Sequence, residues 1–150
     1  MKKKFLAAFL GAMMMTGAIC SATVSHNQIE IGGIKYGATI DEVKSILGSP
    51  DKISTKTKHY GEKIEYHYGD LEVKFINGKV SEIEMDDHSN FKTAAGIGIG
   101  STIVDVERAY GRADSVHKDK YIYFTDDKAL RLVFEIKNGV VHEIKCGDID

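Results

Sequence analysis

Apolar and polar side chains alternate strictly through Leu71-Glu72-Val73-Lys74-Phe75, and the alternation returns over residues 79–85 after Asn77-Gly78. Period-two patterning sends one set of side chains to a buried face, and Asn-Gly is the two-residue turn that joins antiparallel strands. Residues 130–136 and 140–146 repeat the arrangement around Asn138-Gly139. A preceding strand is expected at Ile64-Glu65-Tyr66-His67-Tyr68 in the first half and at Tyr121-Ile122-Tyr123-Phe124 in the second. Segments 53–60 and 116–120 are less sharply patterned, and the first is a candidate for one more strand.

Ahead of each strand set the period changes from two to that of a helix. Ile40, Val43, Ile46 and Leu47 recur at helical spacing, as do Ile103, Val106, Ala109 and Tyr110. Thr39-Ile40-Asp41-Glu42 has capping-box order, and Thr102-Ile103-Val104-Asp105 is a shortened version in which Asp is expected to reach less well. Gly48 and Gly111 stand where a helix needs a residue of positive φ to end. Two- to three-turn helices do not hold in water alone, so their apolar stripes must be covered.

The two halves are copies of one another in sequence. Residues 33–51 laid over residues 96–114 give 8 identities in 19 positions, where roughly one arises by chance at average amino-acid usage. The expected fold class is therefore α+β: two tandem repeats, about residues 31–87 and 94–150, joined by a polar linker at 86–95. Each is a short helix followed by three or four antiparallel strands, and together they make one continuous sheet of roughly six to eight strands with both helices on one face.

Alternation then sorts the side chains. Leu71, Val73, Phe75, Ile83 and Met85 belong under the helices, with Leu132, Phe134, Ile136, Ile144 and Cys146 from the second half. The open face is expected to show Glu65, His67, Glu72, Lys74, Glu82 and Glu84, then Tyr121, Tyr123, Arg131, Val133, Glu135, Glu143 and Lys145. Placing Tyr121 and Tyr123 there rests on pairing Tyr68 with Phe124, and burial of Tyr123 under a helix would reverse it. Tyrosines give large, stiff contact area, so a binding surface is expected at Tyr121, Tyr123, Arg131, Glu135, Lys74, Glu72 and His67.

The order Gly-Ile-x-x-Gly-x-Thr-Ile-x-x-Val, then Gly-x-x-Asp, then strands closing on Asn-Gly-x-Val resembles a known class. Gly37, Thr39, Val43, Gly48, Pro50, Asp51, Asn77, Gly78 and Val80 carry it, with Gly100, Thr102, Val106, Gly111, Asp114, Asn138, Gly139 and Val141 in the second half. It is similar to the repeats of the β-lactamase inhibitor protein (BLIP) superfamily and of SmpA/BamE-type envelope lipoproteins. The resemblance implies paired α/β repeats whose exposed sheet contacts other proteins. The inhibitors have disulfides that this chain cannot form, and the assembly lipoproteins typically carry a single unit and a convincing lipid-attachment box. These motif residues are caps and turns, so they speak to fold more than to activity.

The start of the chain adds a compartment. Lys2, Lys3 and Lys4 precede a 15-residue uncharged run over residues 5–19, followed by Ser21 and Ala22. That run is shorter than the roughly 20 residues of a bilayer span and fits a signal peptide over residues 1–22, cleaved after Ala22 or after Ala18. Gly17-Ala18-Ile19-Cys20 loosely resembles a lipoprotein box, although Ile19 is larger than the residue usual before a lipidated cysteine. Membrane attachment is expected only if Cys20 is lipidated. Cleavage after Ala22 removes three lysines and no acid, moving formal net charge from −2 to −5. An acidic mature chain argues against a nucleic-acid partner, and Cys146, then the sole cysteine, rules out an internal disulfide.

Candidate chemistry is thin. Six histidines are present without His-x-x-x-His spacing, and none repeats between the halves. Neither Gly-x-Ser-x-Gly nor a phosphate loop occurs: Gly96 and Gly100 of Gly96-Ile97-Gly98-Ile99-Gly100 answer Gly33 and Gly37. Asp86-Asp87 and Asp126-Asp127 fit solvated turns. The expectation is a non-catalytic, exported protein-binding module of a bacterial cell envelope, with no cofactor, no metal site and another envelope or secreted protein as partner. The alternatives are an inhibitor of a secreted β-lactamase or peptidase, an outer-membrane assembly factor, and a small metal- or ligand-binding protein using the histidine and acid clusters.

Overall fold

Capping opens both helices of the computed structural model, which describes residues 23–59 and 61–148. At α1 (Ile40–Leu47) the Glu42 amide donates to Thr39 Oγ1 at 3.3 Å, and the Glu42 carboxylate accepts from the Thr39 amide at 2.7 Å. At α2 (Ile103–Tyr110) Asp105 accepts from the Thr102 amide at 3.1 Å and from its hydroxyl at 2.7 Å. The shorter Asp105 reaches the N-cap amide less closely than Glu42, as expected, yet still completes the box. The third helical position lies over the N-cap amide, so the shorter side chain lengthens that bond by only a few tenths of an ångström. Gly48 and Gly111 close the helices at φ 79° and 74°, where a Cβ would be strained.

A small hairpin, β1 (Glu30–Ile31) and β2 (Ile34–Lys35), precedes α1. After α1 come β3 (Lys52–Lys58), β4 (Gly61–Tyr68), β5 (Leu71–Ile76) and β6 (Lys79–Met85). After α2 come β7 (Ser115–His117), β8 (Lys120–Phe124), β9 (Arg131–Lys137) and β10 (Val140–Gly147). These eight strands form one antiparallel sheet in the order β3-β4-β5-β6-β10-β9-β8-β7, so the described fold is α+β with a large antiparallel sheet and two helices. Both Asn-Gly turns are present, with φ 51° at Asn77 and Asn138 and positive φ at the glycines that follow.

The two halves of the sheet meet where β6 pairs with β10, Ile83 facing Cys146 and Met85 facing Ile144. Contact there is close: a Cβ on Gly147 would lie 2.2 Å from the Ser81 carbonyl, and Gly147 has φ 125°. Glycine is required where two backbones approach this tightly.

One face of the sheet carries the core. Leu71, Val73, Phe75, Ile83, Met85, Leu132, Phe134, Ile144 and Cys146 are buried there, and Ile136 is partly buried, as the alternation predicts. Val43 of α1 and Val106 and Tyr110 of α2 close over them. The sequence pattern leaves residues 23–30 unassigned, yet Val24, Ile29, Ile31 and Ile34 are almost fully buried in this same cluster. The linker is also tied down: Ile31 bridges Thr93, and Tyr110 donates to Thr93 Oγ1 at 2.7 Å. The expected leader at residues 1–22, with Cys20, lies outside the described residues. Among the described residues no helix is long and apolar enough to cross a membrane.

Candidate functional site

Directly paired residues in a sheet share a face, so the register fixes what the face opposite the helices displays. One row crosses all eight strands: Lys52, His67, Glu72, Glu84, Lys145, Val133, Ile122 and Ser115. Beside it runs a second row of Ser54, Glu65, Lys74, Glu82, Gly147, Arg131 and Phe124. His67, Glu72, Lys74, Arg131 and Glu135 thus lie where the alternation predicts. Half of the face is ionic, over β3 to β6 and β10. Over β9 and β8, Arg131 and the Lys120–Glu135 and Lys137–Glu135 ion pairs flank a smaller apolar patch at Val133 and Ile122.

Tyr121 and Tyr123 are corrected. Tyr123 pairs with Leu132 and Tyr121 with Phe134, which puts both on the helix side of the sheet. Tyr123 is fully buried, and its hydroxyl donates to the Gly111 carbonyl at 3.0 Å. Tyr121 packs partly buried against the same core. The counterpart of Tyr123 in the first half is Tyr68, whose hydroxyl donates to the Gly48 carbonyl at 3.2 Å. Asp51 accepts from the amide after Tyr68, at Gly69, as Asp114 accepts from the amide after Tyr123, at Phe124. Pairing Tyr68 with Phe124 was a slip of one residue, and in a strand such a slip exchanges the two faces. Ile122 takes the open-face position instead, which the alternation shows once Tyr68 is set against Tyr123.

The ionic half is internally balanced. Glu72 and Glu84 face each other across β5 and β6, and Lys74 holds both, at 3.3 and 3.0 Å, as well as Glu82 at 2.5 Å. Glu135 faces Glu143 in the same way; Lys137 and Lys120 meet the first at 2.5 and 3.8 Å, and Lys145 meets the second at 3.1 Å. Like charges opposed across strands repel unless countered. Lys74 bridges the first pair, whereas Glu135 and Glu143 are each met by lysines of their own. Burial works against the Glu84 carboxylate, yet hydrogen bonds from Lys74 and Lys145 outweigh it and hold its carboxyl below the usual range. Burial also opposes the Lys74 ammonium, but Glu82 and Glu84 outweigh it and raise its pKa. Glu65 follows the same balance against Lys63, at 3.1 Å.

Glu84, Asp86 and Glu143 bring carboxylate oxygens within 4.8 Å of one another, a grouping invisible in the sequence because β6 and β10 meet only in the sheet. Lys145 already reaches Glu84 at 3.0 Å and Glu143 at 3.1 Å, so an ammonium balances the group. His67 Nδ1 lies 3.2 Å from Glu72 Oε2, while His142 meets Asp87. Neither histidine lines any of five surface depressions of about 370–510 Å³ among the described residues.

Cys146 is fully enclosed between β6 and β9, and burial pushes its thiol far up. In the chain from Thr23 onward, where Cys146 is the sole cysteine, alkylation by iodoacetamide is expected to be undetectable in the native protein at pH 8 and complete in urea, since the thiolate is the nucleophile. Intact mass before and after denaturation reads the result, and native labelling at Cys146 would contradict the burial.

No known protein family and no curated protein matches the sequence. Among solved structures, the chain is similar to YjgB of Bacillus subtilis, a DUF4309 family protein. The TM-score is 0.45 at 18% identity, over 78% of this chain and 83% of that one. It is similar to a cysteine-rich secretory protein (SAV1118) of Staphylococcus aureus with a TM-score of 0.48 at 11% identity, over 82% of this chain and 46% of that one. It is also similar to a candidate β-lactamase inhibitor protein of Streptococcus mutans, TM-score 0.34 and 16% identity, over 76% of this chain and 85% of that one. Likeness this loose does not carry an activity from one chain to another.

Proposed function

We propose that this chain is a non-catalytic, exported protein-binding module of a bacterial cell envelope, built from two tandem α/β repeats and binding through the sheet face opposite its helices. One observation carries the reading: a continuous row of side chains crosses all eight strands of that face, charged at one end and apolar at the other. A protein partner uses such a surface by desolvating the partly exposed Ile122 beside the already buried Val133, while Arg131, Lys74 and Glu72 fix register by charge. The repeat reading is supported by the matched tyrosine-to-glycine bonds and by the mirrored strand order about β6 and β10. The non-catalytic reading is supported by the enclosure of Cys146 and by the separation of His67 and His142 from the depressions.

Affinity capture from an envelope extract tests it, with the chain as bait beside an Ile122→Ala, Arg131→Ala variant of unchanged melting temperature. The expected result is a protein retained by the first bait and lost at least tenfold by the second. Equal retention would move the interface off this face. If the retained protein is an enzyme, a dose-dependent fall in its activity would assign inhibition.

A further inference from the structure

The two ends of the sheet are unlike. β7 ends it with three residues, whereas β3 ends it with seven residues in unbroken register against β4. Every residue of β3 except Ser54 is exposed, and among the described residues no strand pairs with its outer side. The sequence Lys-Ile-Ser-Thr-Lys-Thr-Lys has no proline and is rich in β-branched residues, so it holds an extended form well.

The register identifies which backbone groups face outward. Asn77 N–H donates to the Glu62 carbonyl at 3.2 Å, so the even-numbered residues of β4 bond to β5. Odd-numbered residues then bond to β3, and Lys63, Glu65 and His67 pair with Lys56, Ser54 and Lys52. The N–H and C=O groups of Ile53, Thr55 and Thr57 are left pointing away from the sheet. Lys52, Lys56 and Lys58 stand on the open face between them, and Ile53, Thr55 and Thr57 on the helix side.

A second copy does not fit this edge. Antiparallel self-pairing centred on Thr55 sets Lys52 opposite Lys58, and like charges directly opposed are destabilising. Lysine on an edge strand guards against that association, and the same three charges favour the opposite sign. Lipid headgroups and nucleic-acid phosphates would meet the lysines but leave the peptide groups of Ile53, Thr55 and Thr57 without strand partners. An extended polypeptide meets both.

We propose that the outer edge of β3 is a docking site for an extended acidic segment of another protein, which joins the sheet as a ninth strand. Its carboxylates alternate so as to face Lys52, Lys56 and Lys58, and its intervening residues are apolar or β-branched beside Ile53. The site shares its lysines with the β3 end of the open face but takes its backbone bonds at the sheet edge, and a strand added here widens that face by one.

The test uses the full chain and a blocked heptapeptide alternating glutamate with valine, followed by calorimetry at low salt and by amide exchange. Thr55→Pro removes one outward N–H at an edge position where proline is tolerated. A Lys52→Glu, Lys56→Glu, Lys58→Glu variant reverses the charge. Expected results are binding by the parent, at least tenfold weaker binding by each variant, and new exchange protection at Ile53, Thr55 and Thr57. Both variants are checked by melting temperature, and a lysine-for-glutamate peptide serves where either fails to fold. No binding by the parent, equal binding of that basic peptide, or unchanged exchange at these three amides would overturn the proposal. So would binding to anionic lipid vesicles or single-stranded DNA without binding to the acidic peptide. The Ile122→Ala, Arg131→Ala variant, which alters the far side of the sheet, leaves this binding unchanged, which keeps the test separate from that of the proposed function.

Discussion

Tyr123→Ala is expected to lower stability by about 3–5 kcal/mol, the range for removing a fully buried aromatic side chain. For a domain of this size the melting temperature falls by on the order of 10–20 °C. The ring is fully buried and contacts Tyr110 and Phe134, with centroids 5.8 Å from each. Burial, reinforced by Glu107 and Asp114, pushes its hydroxyl pKa up to about 12, so it stays protonated and donates to Gly111 at neutral pH. Tyr123→Phe keeps the ring and removes that bond from the end of α2, and is expected to cost about 1 kcal/mol. Denaturant unfolding of the three proteins decides the point. A small effect of the alanine variant, with binding lost, would return Tyr123 to the interface.

Lys74→Met comes second, at about 2–3 kcal/mol. Breaking a buried ion pair costs 3–5 kcal/mol because the partner charge is stranded, and Lys74 keeps 15% of its side-chain surface in water, which trims the figure. Methionine preserves the stem and leaves Glu72, Glu82 and Glu84 without their shared cation. The pH dependence separates this from lost packing. The carboxyl of Glu84 is held below its ordinary value of 4.5, so its contribution is present above that pH and is lost as pH falls through the lowered folded value. Lys74 is raised above its ordinary 10.5, so its contribution persists through neutral pH and is lost only above the raised value. The stability gap between parent and variant is therefore expected to be constant from pH 6 to 9 and to narrow as pH falls below about 4.5. Adding Glu84→Gln to Lys74→Met is expected to recover part of the loss at pH 7, as coupled neighbours do. A gap that stays constant down to pH 3 would refute the electrostatic account.

Much of this architecture was legible without coordinates because the rules involved act over a few residues. Thr39 and Thr102 cap helices for a reason contained in four consecutive positions, and Asn77-Gly78 and Asn138-Gly139 turn for a reason contained in two. Alternation alone separated Leu71, Val73 and Phe75 from Glu72 and Lys74, and so found the ionic half of the open face. The polar identity of that half was readable, but its pairing was not. Glu72 opposite Glu84, and Lys145 beside Glu84, depend on how β6 meets β5 and β10.

The apolar half was misread where the chain is least regular. Between its aspartate and its tyrosine the second half is shorter: Asp114 is followed by Tyr123, but Asp51 by Tyr68 only after the longer β3–β4 hairpin. Across a deletion of that kind, sequence matching tolerates a slip of one position, and alternation holds equally well either way. What rejects the slip is the space beneath the end of α2, where Tyr123 fills the gap between Tyr110 and Phe134 and satisfies the Gly111 carbonyl. Residues 23–30 were left unassigned for a related reason, since Val24 and Ile29 are too scattered for any period and gain meaning only against a core built elsewhere. The sequence by itself determined the local elements, their turns and the sidedness of every strictly alternating strand. Tertiary structure alone decided which strands became neighbours, which edge was left long and basic, and which tyrosine went under a helix. Those choices turn on burial and backbone pairing between residues far apart in the chain, and no local pattern encodes them.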